Sequence, residues 1–528
     1  MRNFQRPGRS AVYATNGICA SSHPLASLTA INLLQAGGSA ADAAIGAALV
    51  LGFCEPQMTG LGGDAFVLIK PAGREEVLAL NGSGRAPAAL DAEALRDAGH
   101  SSMPLYGAEA VTLPGAIAAF CRLHSDHGRL PLEQVLAPAI AAAENGVPVA
   151  PRTAHDWQET EKLKGAARQH FLPWGRPPRV GEIFRAPGQA EVLRRLAREG
   201  AKGFYEGEVA EDMRASLQAL GGCHSAEDFA SVEAFYDTPV SAPYQGAELI
   251  EHPPNGQGVV ALLMLNILSH FDLASMDPLG SLRTHLEAEA TKLAYDARNR
   301  LIADPDHTTR LAHMLAPETA AKLAALIDPK RALPAVSAAT EAIHKDTVCL
   351  SVTDRDGMVV SLIYSTFHAF GTGLASDKFG ISFQNRGAGF SLERGHPNEA
   401  AGGKRPMHTI IPGMLAEKGR VVMPFGVMGG AYQPAGHARL VSNLRDYGMD
   451  LQSAIDAPRS FCGPFSGSDS LRLEQGYDPK VAAELSALGH EVTWSDEPLG
   501  GAQAIFCHDS GIFEGASDPR KDGCALGY

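Results

Sequence analysis

The sequence predicts a mixed α/β chain, mainly helical in its first half and rich in strand-like segments in its second. Three observations carry that reading. Residues 24–35 and 41–53 place apolar side chains at helical spacing on either side of Gly37-Gly38, a pair that stops one helix before the next begins. Residues 347–353 and 358–365 are rich in β-formers and flank Asp354-Arg355-Asp356-Gly357, the pattern of a hairpin. Between the halves, residues 328–346 mix Pro, Ala, Ser and Thr, the composition of a surface linker.

At 528 residues and 55.5 kDa the chain can bury a sizeable core. With 45% hydrophobic and 20% charged residues it is not disordered along its length. A net charge of −14 speaks against nucleic acid and against an anionic membrane as partner. A small anionic substrate needs only one or two placed cations. The most apolar stretch, residues 40–53, is interrupted by Asp42 and falls short of the roughly 18 apolar residues of a spanning helix. Residues 1–20 contain no apolar signal core, so a secretory signal is not expected. The eight cysteines form no CxxC pair, which argues against a zinc ribbon or a disulfide framework. No His/Cys/Asp group has metal-ligand spacing. The expectation is a cytoplasmic protein with reduced thiols, no metal and no cofactor.

The elements follow in order. Ser39 with Asp42 has the spacing of a capping box, and the small residues of 41–53 suit a buried helix. Gly60-Leu61-Gly62-Gly63-Asp64 precedes the strand-like residues 65–69. The order helix, loop, strand, with no Gly-Lys-Ser/Thr, favours a close backbone approach over a phosphate cradle. Residues 132–220 read as polar helices. Pro253-Pro254-Asn255-Gly256-Gln257-Gly258 is an irregular loop before the apolar helix 259–268. Residues 282–301 form a long amphipathic helix whose Glu287, Glu289, Lys292, Asp296 and Arg298 are expected on a solvated face. Further strands are expected at 379–383, 421–425, 470–473, 491–494 and 503–508.

The segments Ala20-Ser21-Ser22-His23-Pro24-Leu25-Ala26-Ser27, Gly37-Gly38-Ser39-Ala40-Ala41-Asp42 and Glu55-Pro56 with Gly60-Leu61-Gly62-Gly63 resemble the N-terminal signature of the γ-glutamyltranspeptidase superfamily. Asp346-Thr347 with its hairpin, Phe370-Gly371-Thr372-Gly373, Lys404-Arg405-Pro406 and Gly429-Gly430 continue in family order over nearly the whole chain. The resemblance implies an N-terminal-nucleophile (Ntn) hydrolase with a four-layer αββα sandwich of mainly antiparallel sheets. It implies self-cleavage between Asp346 and Thr347, giving a large subunit, 1–346, and a small one, 347–528, intertwined in one globule. Thr347 is then the nucleophile, Ser365 the hydroxyl that assists it, and Gly429 and Gly430 the oxyanion pair.

The residue types suit that chemistry. A Thr hydroxyl needs a base, and a freed α-amino group, with a pKa of about 8, can take its proton. In the uncut chain that nitrogen is an amide, so cleavage is activation. Backbone N–H groups of paired glycines can approach a developing oxyanion closely.

The sequence also departs from the resemblance. Ser83 stands at the family's Arg position, with Arg85 nearby, and Phe367 stands at an Asn position. Arg386 stands at a Gln position, Gly389 at an Asp position, and His408-Thr409 replace a Ser-Ser pair. The carboxylate that would hold a substrate ammonium is gone, and an extra planar cation suited to carboxylate has appeared. Arg85, Arg386, His408 and Thr409 are therefore the expected substrate contacts. The motifs resemble the branch that includes oxamate amidohydrolase and cephalosporin-acylase-like members. The favoured expectation is an autoprocessed amidohydrolase acting on a small anionic amide, oxamate foremost. The alternatives are a γ-glutamyl hydrolase or transpeptidase, a cephalosporin-acylase-like amidase, and an uncleaved inactive homologue that serves as a binding protein. The sequence leaves the assembly state open, a higher homo-oligomer included.

Overall fold

The computed structural model describes residues 8–334, 347–463 and 470–528. Two seven-stranded sheets form its centre, and every strand pair within them is antiparallel. The first runs Val12–Ala14, Phe513–Ser517, Gly501–Cys507, Arg420–Met428, Pro412–Glu417, Ala247–Glu251, Val240–Tyr244. The second runs Cys524–Gly527, Gly17–Ser21, Val348–Asp354, Val359–Ser365, Asp64–Lys70, Leu78–Gly82, Phe235–Asp237. Strands from either side of position 346 interleave in both.

The predicted hairpin is the centre of the second sheet. Its strands Val348–Asp354 and Val359–Ser365 pair in register, Val348 with Tyr364. Asp354 makes the turn, its Oδ1 accepting the Asp356 and Met358 N–H groups at 3.0 Å each. Its Oδ2 accepts the Ala40 N–H at 2.9 Å, which ties the hairpin to the helix Ala40–Cys54. Ser39 and Asp42 cap that helix reciprocally.

Side chains alternate across a strand. Val348, Leu350, Val352, Val360 and Leu362 face outward, where helices such as Pro24–Gln35, Ala40–Cys54 and Ala116–His127 cover them. Phe66, Cys349, Ile363, Ile410 and Met428 meet between the sheets. The outer face of the first sheet, through Leu415, Met423, Phe425 and Val427, packs under the helices Gly258–Leu268, Ser281–Leu301 and Gln433–Arg445. The layers are therefore helix, sheet, sheet, helix. By the same alternation Thr347 and Ser365 share the inner parity of Cys349 and Ile363, so both face the gap between the sheets.

The Gly60–Gly63 loop lets backbone approach backbone. A Cβ on Gly63 would lie 2.6 Å from the Ser365 carbonyl oxygen, so the loop can pass beside the end of the hairpin only as glycine.

Two expectations are corrected. The charges of Ser281–Leu301 are not a solvated face: Arg283, Glu289 and Arg298 are wholly buried. Glu287 pairs with Arg283 at 2.9 Å and with Arg439, and Lys292 pairs with Glu289 at 2.8 Å. Partners from distant segments let the helix bury both faces. Residues 379–383 are not a strand. Gly380 has φ +67° and the chain folds back on itself, with Ser376 N donating to Ile381 O at 2.9 Å and Phe383 N to Leu374 O at 3.0 Å.

Candidate active site

Thr347 immediately precedes the strand Val348–Asp354 and is wholly buried. Its Oγ1 lies 3.4 Å from Ser365 Oγ, at the end of the neighbouring strand. The Phe367 N–H donates to Ser365 Oγ at 2.9 Å, which fixes that hydroxyl beside Thr347 Oγ1. Asp346, the expected residue before the cut, lies outside the described residues.

Asp64 is the cross-strand partner of Ser365. Its Oδ1 accepts from Gly84 N at 3.1 Å, Gly115 N at 3.0 Å and Gln384 Nε2 at 2.9 Å. Its Oδ2 meets His408 Nε2 at 3.2 Å. The Ile410 N–H donates to His408 Nδ1 at 3.3 Å. Because a backbone N–H only donates, Nδ1 is the bare nitrogen and Nε2 carries the proton toward Asp64. Burial, and then the Arg386 charge, push the His408 pKa down to about 3. His408 is neutral, and both its ring nitrogens are engaged within the protein.

Arg386 opens the short 3₁₀ turn Arg386–Gly389. Its side chain is wholly buried and lies over the Phe367 ring, 4.0 Å from the centroid. Nη1 donates to Thr409 Oγ1 at 3.0 Å. Nε and Nη2 have no hydrogen-bond partner among the described residues. Burial lowers its pKa to about 9, with Asp64 opposing the shift. A buried cation with two open donors is costly unless something accepts from them. Nε–H and Nη2–H share one edge of the guanidinium, the side-on fork that matches the two oxygens of a carboxylate.

Arg85 is placed differently. Its side chain is exposed and reaches the Gly403 carbonyl at 2.8 Å, with Asp304 at 3.8 Å. The structure thus joins Arg386 to Thr409, turns His408 inward and sets Arg85 at the rim.

Gly429 and Gly430 follow the strand Arg420–Met428 and lead into the helix Gln433–Arg445. N–H groups at such a junction have no intrahelical acceptor. Gly429 has φ +126° and Gly430 φ +57°. A Cβ on Gly429 would also lie 3.0 Å from Gly500 Cα, so only glycine fits there.

Sequence reasoning gave no role to Asp64 or Gln257. Gln257 Nε2 donates to Thr409 O at 2.6 Å and Gly430 O at 3.1 Å. Asp64 stood in view as the last residue of the glycine loop, and Gln257 inside the irregular loop 253–258. Gln384 and His408 lie 320 and 344 positions from Asp64, and Thr409 and Gly430 lie 152 and 173 from Gln257, so spacing carried no signal.

The fold also gathers His285, Glu289 and His490, whose ligand-type atoms lie within 4.8 Å of one another, a group that sequence spacing did not single out. His285 Nδ1 meets His490 Nε2 at 2.7 Å and His285 Nε2 meets the Asp328 carbonyl at 2.8 Å. Glu289 accepts from Lys292 Nζ at 2.8 Å and Leu333 N at 2.7 Å. The Lys292 ammonium already balances this carboxylate, and the group reads as a polar knot.

The gamma-glutamyltranspeptidase family model matches residues 26–528. The chain is 37% identical to the oxamate amidohydrolase proenzyme of Klebsiella pneumoniae subsp. pneumoniae, over 98% of this chain and 100% of that one. It is 34% identical to the glutathione hydrolase-like YwrD proenzyme of Bacillus subtilis, over 98% and 99%. Among solved structures, cephalosporin acylase from Bacillus halodurans superposes with a TM-score of 0.92 at 37% identity, covering 100% of this chain and 99% of that one.

Proposed function

The chain belongs to the gamma-glutamyltranspeptidase family, and on that premise we propose that it is a proenzyme that cuts itself before Thr347 and then hydrolyses a small amide bearing a carboxylate, oxamate foremost. It is an Ntn-hydrolase acting on amide C–N bonds. The single observation that carries the substrate reading is the open side-on fork of Arg386, buried beside the nucleophile's own cluster. The name of the Klebsiella relative agrees with it.

In the proposed reaction the substrate carboxylate lies against Nε and Nη2 of Arg386, whose third nitrogen Thr409 holds. The freed α-amino group of Thr347 takes the proton from its own Oγ1, and Oγ1 attacks the amide carbon. The oxyanion that forms accepts from the Gly429 and Gly430 N–H groups. The α-ammonium returns its proton to the departing nitrogen, and ammonia leaves. Water then attacks the ester, and oxalate and the Thr347 hydroxyl are released. Ser365 holds Oγ1 on line throughout.

A γ-glutamyl amide is the second reading, favoured by the glutathione hydrolase-like relative. Gly389 offers no side-chain acceptor for its ammonium, and burying that charge alone costs several kcal/mol. Two assays decide between them: ammonia release from oxamate and p-nitroaniline release from a γ-glutamyl anilide. Processed enzyme that turns over only the anilide overturns the oxamate reading. N-terminal sequencing of the smaller fragment should begin Thr347-Val348-Cys349-Leu350, and a chain that never cleaves overturns the proenzyme reading.

A further inference from the structure

We propose that Gln257 is a positioning residue that locks the anion-holding turn and the oxyanion turn into one unit. The proposal rests on the roles given above to Arg386 with Thr409 and to Gly429 with Gly430.

Gln257 is wholly buried at the start of the helix Gly258–Leu268. A carboxamide nitrogen has two hydrogens, and Gln257 spends them on two different turns. One goes to Thr409 O at 2.6 Å and the other to Gly430 O at 3.1 Å. Its Oε1 accepts from Arg298 Nη1 at 2.9 Å. A guanidinium only donates, so Arg298 fixes which end of the amide is oxygen. The flipped amide would set three oxygens together and aim its N–H groups at a cation. Arg298 is itself stacked on Tyr295, 4.5 Å from the ring centroid, and the Tyr295 hydroxyl donates to Ala431 O. The helix Ser281–Leu301 therefore braces the oxyanion turn directly and through Gln257.

The consequence is chemical. Thr409 is held by its carbonyl and in turn holds Arg386 by its hydroxyl. In an amide whose carboxylate is bonded directly to the scissile carbonyl, fork and oxyanion hole must sit a fixed distance apart. No rotatable chain in the substrate can absorb an error. Displacements of a fraction of an ångström then cost rate. A longer, flexible acyl group would tolerate a loosened pair of turns.

The test uses full-length, processed enzyme carrying Gln257→Met, which keeps length and loses the donors. On oxamate, KM should rise about threefold or more and kcat should fall about tenfold or more. Hydrogen exchange should quicken in both segments 405–411 and 428–433, while the hairpin 348–365 stays protected. Gln257→Glu keeps an oxygen toward Arg298 but supplies no N–H, so it should behave like Met. Movement of only one kinetic constant, quickened exchange in only one segment or neither, or wild-type behaviour of Gln257→Glu overturns the proposal. If wild-type enzyme ignores oxamate, the substrate reading fails by itself. The coupling is then judged by exchange alone: loosening of both segments upholds it, and loosening of one or neither overturns it.

Discussion

Arg386 rests on Phe367, guanidinium carbon 4.0 Å from ring centroid, and the backbone of that same Phe367 holds the Ser365 hydroxyl beside Thr347. Its N–H donates to Ser365 Oγ at 2.9 Å. Phe367 has φ +82°, a conformation that costs a side-chain-bearing residue about 1–3 kcal/mol. The strain lets one residue put its amide on Ser365 and its ring under the cation.

Arg386→Lys should raise KM for oxamate about 10-fold to 100-fold, since a charge-assisted hydrogen bond contributes about 1.5–3 kcal/mol. Lys keeps the charge but has no planar fork. The effect should fall on KM more than on kcat, because the carboxylate is present before and during reaction. Steady-state kinetics on oxamate check it, and an unchanged KM removes Arg386 from the substrate.

Thr347→Ala should remain one chain and be inactive. Thr347→Ser should cleave, more slowly, because the methyl that restricts its rotamer is lost. A denaturing gel of freshly purified protein distinguishes them, and complete cleavage in Thr347→Ala would reassign the nucleophile.

Gly430→Ala is the usable probe of the proposed oxyanion turn. At φ +57° an alanine costs about 1–2 kcal/mol, and the fold should survive. Turnover should drop, toward the 10²–10³-fold typical of a lost oxyanion donor if the N–H is displaced. Gly429 at φ +126° should tolerate no side chain, and its alanine variant should lose thermal stability as well as activity. Melting curves alongside kinetics separate the two.

The pH profile of kcat/KM should carry one rising limb from the α-amino group, at or below about 8, because only the neutral amine can accept a proton. His408 should add no limb near pH 6.5. Its pKa is pushed down to about 3, so it stays neutral as pH rises from 4 to 9. An additional inflection near 6.5 that His408→Gln abolishes would contradict the assignment of its proton.

Glu287→Ala should destabilise the protein by about 3–5 kcal/mol, because it strands two buried guanidinium groups, Arg283 and Arg439, without their carboxylate. Urea denaturation measures it. A loss below about 1 kcal/mol would mean that water reaches the pair.

What the sequence made legible was local. The hairpin around Thr347 could be read because turn residues and β-formers lie within one short stretch, and Ser39-Asp42 because a capping box spans four residues. The helix Ser281–Leu301 was misread because its charges look solvated until Arg439 and His490 arrive from the far end of the chain. Within the site, Thr347, Ser365 and Arg386 stood out through the family resemblance and the departures from it, and the structure sets them into one cluster through Phe367. Asp64 and Gln257 did not stand out. Each works only through partners that folding brings to it, Asp64 through Gln384 and His408, Gln257 through Thr409 and Gly430.

The interleaving of strands from the two sides of position 346 has a mechanical consequence. The strand Gly17–Ser21 lies between Val348–Asp354 and Cys524–Gly527, so a break before Thr347 frees a chain end and releases no part. Neither piece can slide out without tearing both sheets. Maturation would leave both sheets joined, and two pieces synthesised separately would have to be woven together during folding.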